Sequence, residues 1–434
     1  MGPIDVLGLG LGPANLSLAA LAAPVAGLRP RFLEAKPHFQ WHSGIMLPDA
    51  QLQVSHLKDL VSLVDPTSRY SFLNYLVRTG RIYRAMVANG ISCSRQEFEQ
   101  YYQWAADQLD SVHWKQRVES VCLAGDRFEV CTSTGERHTA RALVLGTGRT
   151  PTLPEFAVPL RGRQVLHGAE FLHVSPETRG KDVIVVGGGQ SGAEIVNHLL
   201  ADDQDLPASL TWLSSRAGFL PMDDSPFTNE WFTPSYVEYF HGLPADRRAG
   251  LLTQHRLASD GISESLLRDI YQRLYHLDMV VGAPVRHQLL AGRRVVGLTR
   301  DGGRLTAELH DEDSGRVESR TADLVVFCTG YRSSLPEFLE LLRPRLVDEH
   351  GALRIRRDYS LDWDGPQELR IYVQNAAETT HGIADPNLSL AAWRSARIVN
   401  SLVGREVYRL DHFSTTVAWD RSSDHDEDPA YVTP

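Results

Sequence analysis

Glycines at positions 8, 10 and 12, followed by Pro13, end a short apolar run, "DVLGLGLGP", that starts at Asp5. A glycine turn between a strand and a helix can bind phosphate. The first N–H groups of a helix have no intrahelical partner, and the helix dipole adds positive potential there. In the expected division of labour Gly8 permits the tight turn, Gly10 lets a pyrophosphate reach the backbone, and Gly12 lets helix and strand pack closely. Glu34 closes the next apolar run, 22 residues after Gly12. A carboxylate there accepts hydrogen bonds from ribose hydroxyls. Each glycine alone could mark a plain turn; strand, turn, helix and acid together point to a dinucleotide.

The device recurs. "DVIVVGGGQSGAEIVNHLL" starts at Asp182 and places Gly188, Gly189, Gln190 and Ser191 between a strand and a helix. The next strand ends without an acid, in Ser214, Ser215 and Arg216. Hydroxyls and a guanidinium suit a 2′-phosphate, which favours NADPH over NADH. The bland alternative makes Arg216 a solvated loop charge. Two dinucleotide sites on one chain suit a bound flavin, FAD, and the nicotinamide that feeds it hydride.

Strands alternating with helices are the elements that must position these turns. They predict an α/β fold with two Rossmann-like, doubly wound dinucleotide-binding domains and a small, mainly helical substrate-binding region. Residues 1–170 are expected to begin the FAD domain and 171–320 to form the NADPH domain, with substrate-region segments near 222–280. Residues 321–415 should return to the FAD domain, so that the second unit is inserted into the first. The acidic tail 416–434 is expected to be disordered. "SRQEFEQYYQWAADQL" (94–109) has helical periodicity behind a capping serine.

A chain of 434 residues is long enough for two or three domains. The net charge of −10 argues against a nucleic-acid surface. No His/Cys cluster has metal spacing, and Cys93, Cys122, Cys131 and Cys328 form no C-x-x-C pair. They are expected to be free thiols in a reducing compartment. No apolar run reaches the roughly 18 residues of a membrane span, and the first strand starts almost at Met1, so a cytoplasmic protein is expected.

A disulfide reductase needs a redox cysteine pair, which is lacking. In "LRGRQVLHGAEF" Leu160 and an extra residue before His167 break the Baeyer–Villiger fingerprint. The stretch 37–76, opening "PHFQWHSGIMLPDAQLQVSHLKDL", together with "CTGY" (328–331) and "THGIADPNLSLAAWRSAR" (380–397), resembles the N-hydroxylating flavin monooxygenases of siderophore synthesis. These are the lysine and ornithine N-monooxygenases. The resemblance implies that NADPH reduces FAD, that O2 forms a flavin C4a-hydroperoxide, and that its terminal oxygen passes to a primary amine. No catalytic acid–base residue is implied.

The resemblance also assigns residues. Glu34, Trp41, His42, Gln53, Val118, Asn387 and Leu388 would join Gly8, Gly10, Gly12 and Pro13 around FAD. Gly188 to Ser191 and Arg216 would bind NADPH. Lys58, Gln53, Asn229 and Ser389 would meet the substrate, with Lys58 on its carboxylate. Each has a bland reading: Trp41 and His42 as packing aromatics, Lys58 as a surface lysine, Asn229 as a turn cap. His381 is expected to be structural. L-lysine N6 is the favoured target, with a hydroxylamine for a hydroxamate siderophore as product. Cadaverine, putrescine, histamine and L-ornithine stay open. Ornithine enzymes tend to have "NYS" where this chain has "ASD" (258–260); Asp260 could meet an ammonium or cap the helix near Ser263. Family members are often tetramers. A flavin- and NADPH-binding protein without enzymatic activity is the alternative of a different class.

Overall fold

A computed structural model describes residues 4–89, 93–282, 285–411 and 414–419. Residues 420–434 of the acidic tail lie outside the described residues. Strand β1 (Ile4–Leu9) is buried and apolar on both faces from Val6 onward, as a parallel strand covered on both sides must be. It lies inside a sheet ordered β3 (Val112–His113), β2 (Pro30–Leu33), β1, β6 (Arg137–Leu145), β5 (Arg127–Thr132) and β4 (Val118–Ala124). Strands β3, β2, β1 and β6 run parallel, whereas β4, β5 and β6 form an antiparallel meander. One edge of β6 is shared. Its start pairs with β5, and Ala142–Leu145 pair in parallel with β17 (Arg370–Val373). The chain thus returns to its first sheet late in the sequence.

A second, wholly parallel sheet is ordered β11 (Arg286–Leu290), β10 (Ser209–Leu213), β9 (Asp182–Val186), β15 (Leu324–Phe327) and β8 (Val165–His167). Both β8 and β15 fall outside the expected span 171–320. The second unit starts earlier and ends later, because β8 pairs with β15 rather than with the first sheet. Strands β12 (Arg293–Asp301), β13 (Arg304–Asp311) and β14 (Val317–Ala322) form an antiparallel sheet beside it. At the crossings between the units, β7 (Thr150–Pro151) pairs with β16 (Tyr331–Arg332).

Helix α1 (Pro13–Ala22) follows the first glycine turn and packs on α14 (Ala391–Val403). Apart from Asn15 and Ser17, whose side chains are hydrogen-bonded, it is apolar all round, and it is buried on nearly every side. Leu16, Leu18 and Leu21 are at most 1% exposed, each worth about 1.5–3 kcal/mol in removed apolar surface. Helices α2 (Phe72–Arg78), α3 (Ile82–Asn89) and α4 (Arg95–Ala106) precede β3. Ser94 caps α4 by accepting from Glu97 N at 3.1 Å, and Phe98, Tyr101 and Tyr102 form its buried face. Short α5 (Phe171–Val174) precedes β9, and α6 (Gln190–Leu200) follows the second turn. A helical region follows with α7 (Pro226–Asn229), α8 (Pro234–His241), α9 (Ala245–Gln254), α10 (Arg256–Asp260) and α11 (Glu264–Tyr275). Short α12 (Arg343–Leu346) and α13 (Glu378–His381) flank β17. Among the described residues no helix is long and apolar enough to cross a membrane.

Candidate active site

The first turn departs from the expected glycine roles. Gly8 lies inside β1, and a Cβ there would sit 2.1 Å from the Phe32 ring. It makes room for a neighbour across the sheet rather than for a turn. Gly10 makes the turn: its φ is +85° and a Cβ would lie 2.8 Å from Gly146 O. Gly12 is the N-cap of α1 with no side-chain cap. A Cβ on it would have its nearest neighbour 3.9 Å away, so Gly12 is not the close helix–strand contact. That contact belongs to Asn15, outside the expected glycine pattern. Asn15 Nδ2 donates to Gly10 O at 2.8 Å and to Val144 O at 3.3 Å. Counting from Gly10 instead of Gly8 gives Gly10-x-Gly12-x-x-Asn15, the spacing that would have found it.

Glu34 is 8% exposed and braces the turn. Its carboxylate accepts from Leu11 N at 2.7 Å and from Lys36 N at 2.9 Å. A carboxylate has about four acceptor sites, so capacity remains for ribose hydroxyls. A cleft of about 830 Å³ opens there, lined by Gly10, Gly12, Pro13, Glu34, Trp41, His42, Val118, Asn387 and Leu388. Residues from distant parts of the chain meet in it, as the return of β17 to the first sheet requires. The strained glycine that a Cβ would fill, the uncapped helix start and the carboxylate fit a flavin dinucleotide.

Helix α4 holds one wall. Glu99 Oε1 accepts from Trp41 N at 2.6 Å, and Gln103 Oε1 accepts from Phe39 N at 2.9 Å. Trp41 packs edge-on to Tyr102. His42 has φ +51° and faces the cleft, open to water yet ringed by protein. Desolvation, then Arg95 and Lys36, lowers its pKa to about 4, so it adds no charge at neutral pH. Arg394, inside the quoted "AAWRSAR", also lines the cleft and was given no role. It is 1% exposed, pairs with Asp385 at 2.8 Å, and donates to Gln374 Oε1 and Asn375 Oδ1, both at 2.7 Å.

At the expected substrate end, Lys58 Nζ donates to Ser389 Oγ at 2.8 Å. Ser389 in turn donates from N and Oγ to Asn387 Oδ1, at 2.8 and 2.7 Å. Lys58, Ser389 and Asn387 therefore form one chain that ends at the cleft wall. Burial lowers the Lys58 pKa, and among the described residues no carboxylate pairs with it. Gln53 and Asn229 are both exposed and are not part of the cleft wall. Asn229 Nδ2 donates to Asp224 O at 2.7 Å, the bland turn-closing role.

The second turn repeats the plan. Gly187 has φ +132°, and a Cβ would lie 2.3 Å from Cys328 O. Gly189 is the N-cap of α6. Gly188 must be small because a Cβ would meet Ser214 Oγ at 2.3 Å. Ser191 sits half-buried in the first turn of α6. Gln190 spends its side chain on protein: Nε2 donates to Glu194 Oε1 at 2.8 Å, and Oε1 accepts from Ser263 N at 2.9 Å. Arg216 is half-buried and donates to Asp260 O at 3.0 Å. The Asp260 carboxylate lies 3.7 Å from Arg216 and 3.5 Å from Arg256. Asp260 thus holds guanidinium groups and is not the cap of α11, whose N-cap is Ser263.

The cysteines are free, and burial pushes the Cys328 thiol up to about 12. His381 is 1% exposed and stacks on Tyr359 at 4.0 Å. Its pKa falls to about 3, chiefly through burial, the behaviour of a structural histidine.

Solved structures share this architecture. FAD-bound DfoA, a cadaverine monooxygenase of desferrioxamine biosynthesis from Erwinia amylovora, superposes with a TM-score of 0.91 at 33% identity, over 98% of this chain and 100% of that one. The ornithine N-hydroxylase KtzI of Kutzneria, solved with reduced FAD, NADP+ and L-ornithine, gives 0.86 at 30% identity, over 93% and 99%. The L-lysine N6-monooxygenase of Escherichia coli is 41% identical over 421 residues, 96% of this chain and 98% of the relative. Fold, cleft and relatives define a flavin-dependent, NADPH-using N-monooxygenase. The family model for L-lysine 6-monooxygenase/L-ornithine 5-monooxygenase matches residues 2–333, and the chain belongs to that family.

Proposed function

We propose that this enzyme hydroxylates the N6 amine of L-lysine and supplies a hydroxamate siderophore. The observation that carries the reading is the half-buried Lys58 ammonium, unmatched by any described carboxylate and tied through Ser389 to Asn387 at the cleft wall. Gly10, Gly12, Pro13, Glu34, Trp41, His42, Val118, Asn387 and Leu388 would hold FAD, which when bound supplies the activation of O2. Gly188, Gly189, Ser191 and Arg216 would hold NADPH. Lys58 binds the substrate carboxylate as a charge-assisted pair, and Ser389 aims its ammonium. The far end of a bound lysine then extends towards the flavin.

An alkylammonium has no lone pair to accept oxygen. A free lysine side chain titrates at about 10.4, so the reacting amine must shed its proton in the site. A cleft with a neutral His42 and a fully paired Arg394 favours the uncharged amine as water is excluded. The same reading makes the enzyme cytoplasmic and, by resemblance to its family, a homotetramer.

The test is hydroxylamine formation with FAD and NADPH in air, from L-lysine, L-ornithine, cadaverine and putrescine. L-lysine should be preferred. Lys58→Ala should raise KM for L-lysine by about tenfold to a hundredfold, the loss of a charge-assisted bond of about 1.5–3 kcal/mol, and leave KM for cadaverine near its starting value. Preference for a diamine would keep the chemistry and overturn the role of Lys58.

A further inference from the structure

One buried ion pair joins the two nucleotide units, and neither cofactor nor substrate assignment uses it. Arg95 opens α4 in the first unit, and Glu194 lies on α6, directly behind the second glycine turn. Arg95 Nη1 and Nη2 donate to Glu194 Oε2 and Oε1 at 3.0 and 2.7 Å. The side chains are 15% and 6% exposed. Gln190 adds a third donor to Glu194 and also accepts from Ser263, so the pair anchors the starts of both α6 and α11.

The same helix α4 holds the cleft loop, through Glu99 on Trp41 N and Gln103 on Phe39 N. A rigid element of 12 residues therefore grips the flavin side with its middle and the nicotinamide side with its first residue. His42 and Tyr331, which both line the cleft, lie near enough to feel the Arg95 charge. A buried pair of this kind is weak evidence for added stability, since two apolar residues often serve as well. What a bidentate fork adds is a fixed distance and direction.

We propose that Arg95 and Glu194 are positioning residues which, through α4, set the nicotinamide turn against the flavin cleft for hydride transfer. The inference rests on the reading that the cleft holds FAD and the second turn NADPH. In the step concerned NADPH gives up a hydride, which carries two electrons and one proton, and the flavin takes it. The geometry of such a transfer is steep: a misplacement of about 1 Å costs on the order of a hundredfold in rate.

The experiment is anaerobic stopped-flow reduction of the FAD-loaded enzyme by NADPH without amine. Glu194→Gln should cut the limiting reduction rate at least about tenfold, with FAD retained and the half-saturating NADPH concentration within about twofold of wild type. Amide exchange of the holoenzyme should rise together at the starts of α4 and α6. Arg95→Lys keeps the charge but loses the fork, and should give a smaller drop in the same rate; it carries the test if Glu194→Gln does not fold. A limiting rate equal to wild type, with only the melting temperature or FAD content lowered, would overturn the proposal. So would exchange that rises in one helix alone. Wild-type enzyme that NADPH does not reduce would overturn it together with the cofactor reading beneath it.

Discussion

The two glycine turns follow one backbone plan and fill it with different side chains. Gly10 N donates to Leu33 O and Gly187 N to Leu213 O, both at 2.8 Å. Gly146 N reaches Leu9 O as Cys328 N reaches Val186 O, at 2.9 and 2.6 Å. Position by position, Gly10 matches Gly187, Gly12 matches Gly189, Asn15 matches Gly192, and Gly146 matches Cys328. In the first unit Asn15 stands between helix and strand, and Gly146 yields: a Cβ at 146 would lie 2.3 Å from the Asn15 amide. In the second unit the helix closes directly on the turn. A Cβ at Gly192 would lie 2.1 Å from Gly187 O, while the opposite position carries the thiol of Cys328. Only the positive-φ glycine and the extended N-cap glycine recur. After the matched leucines the second strands end differently: Leu33 is followed by Glu34, Leu213 by Ser214 with Arg216 two residues further, and in the proposed reading that difference sorts the nucleotides.

The largest expected effect breaks the first turn. Gly10→Ala meets a positive φ, a strain of about 1–3 kcal/mol, as well as the contact with Gly146 O. The purified variant should lack bound FAD by absorbance and hydroxylate nothing; a yellow, active variant would contradict the role of Gly10. Next, Arg216→Ala should lower the preference for NADPH over NADH about tenfold, as loss of a charge-assisted bond implies. The ratio of kcat/KM for the two coenzymes reads this, and an unchanged ratio would return Arg216 to its partner Asp260.

The smallest effect is acid sensitivity away from both turns. His381 is held neutral with a pKa of about 3, and His255, 3% exposed beside Trp231, with one of about 4. Unfolded histidines titrate at about 6.5. Below that pH the unfolded chain binds protons that the folded one refuses, so stability is complete above about 6.5 and falls as pH drops towards 4. Each group contributes up to about 1.4 kcal/mol per pH unit. The urea midpoint should fall between pH 7 and pH 5, and His255→Phe should flatten the slope. A midpoint independent of pH would show that these rings titrate in the fold as they do in the unfolded chain.

Much of the site was legible because its signals are local. Strand–glycine–helix patterns, the acid after the first turn, its replacement by "SSR" after the second, and the Ser94 cap all act over a few residues. Lys58 and Ser389 were read from resemblance, and their hydrogen bond spans 331 positions. What stayed hidden depends on tertiary pairing. Gly8 owes its identity to Phe32 across the sheet. Arg394 with Asp385 and Arg95 with Glu194 are ion pairs whose burial no sequence period announces. The limits of the second unit moved because β8, at three residues, is too short for a periodicity signal, and because the sheet that β15 joins is set by its pairing with β8 and β9 in the fold. That Asp260 does not cap α11 was hidden because its partners, Arg216 and Arg256, converge on it only in the fold.

The central claim is that the two turns divide the labour, flavin in the first and nicotinamide in the second. Gly187→Ala tests it most directly, because φ +132° and the approach to Cys328 O leave no place for a Cβ. The visible spectrum of the purified variant would be followed anaerobically on adding NADPH, then dithionite. The account predicts full FAD content, no bleaching by NADPH and complete bleaching by dithionite. A variant that loses FAD, or that NADPH still reduces at the wild-type rate, would contradict it.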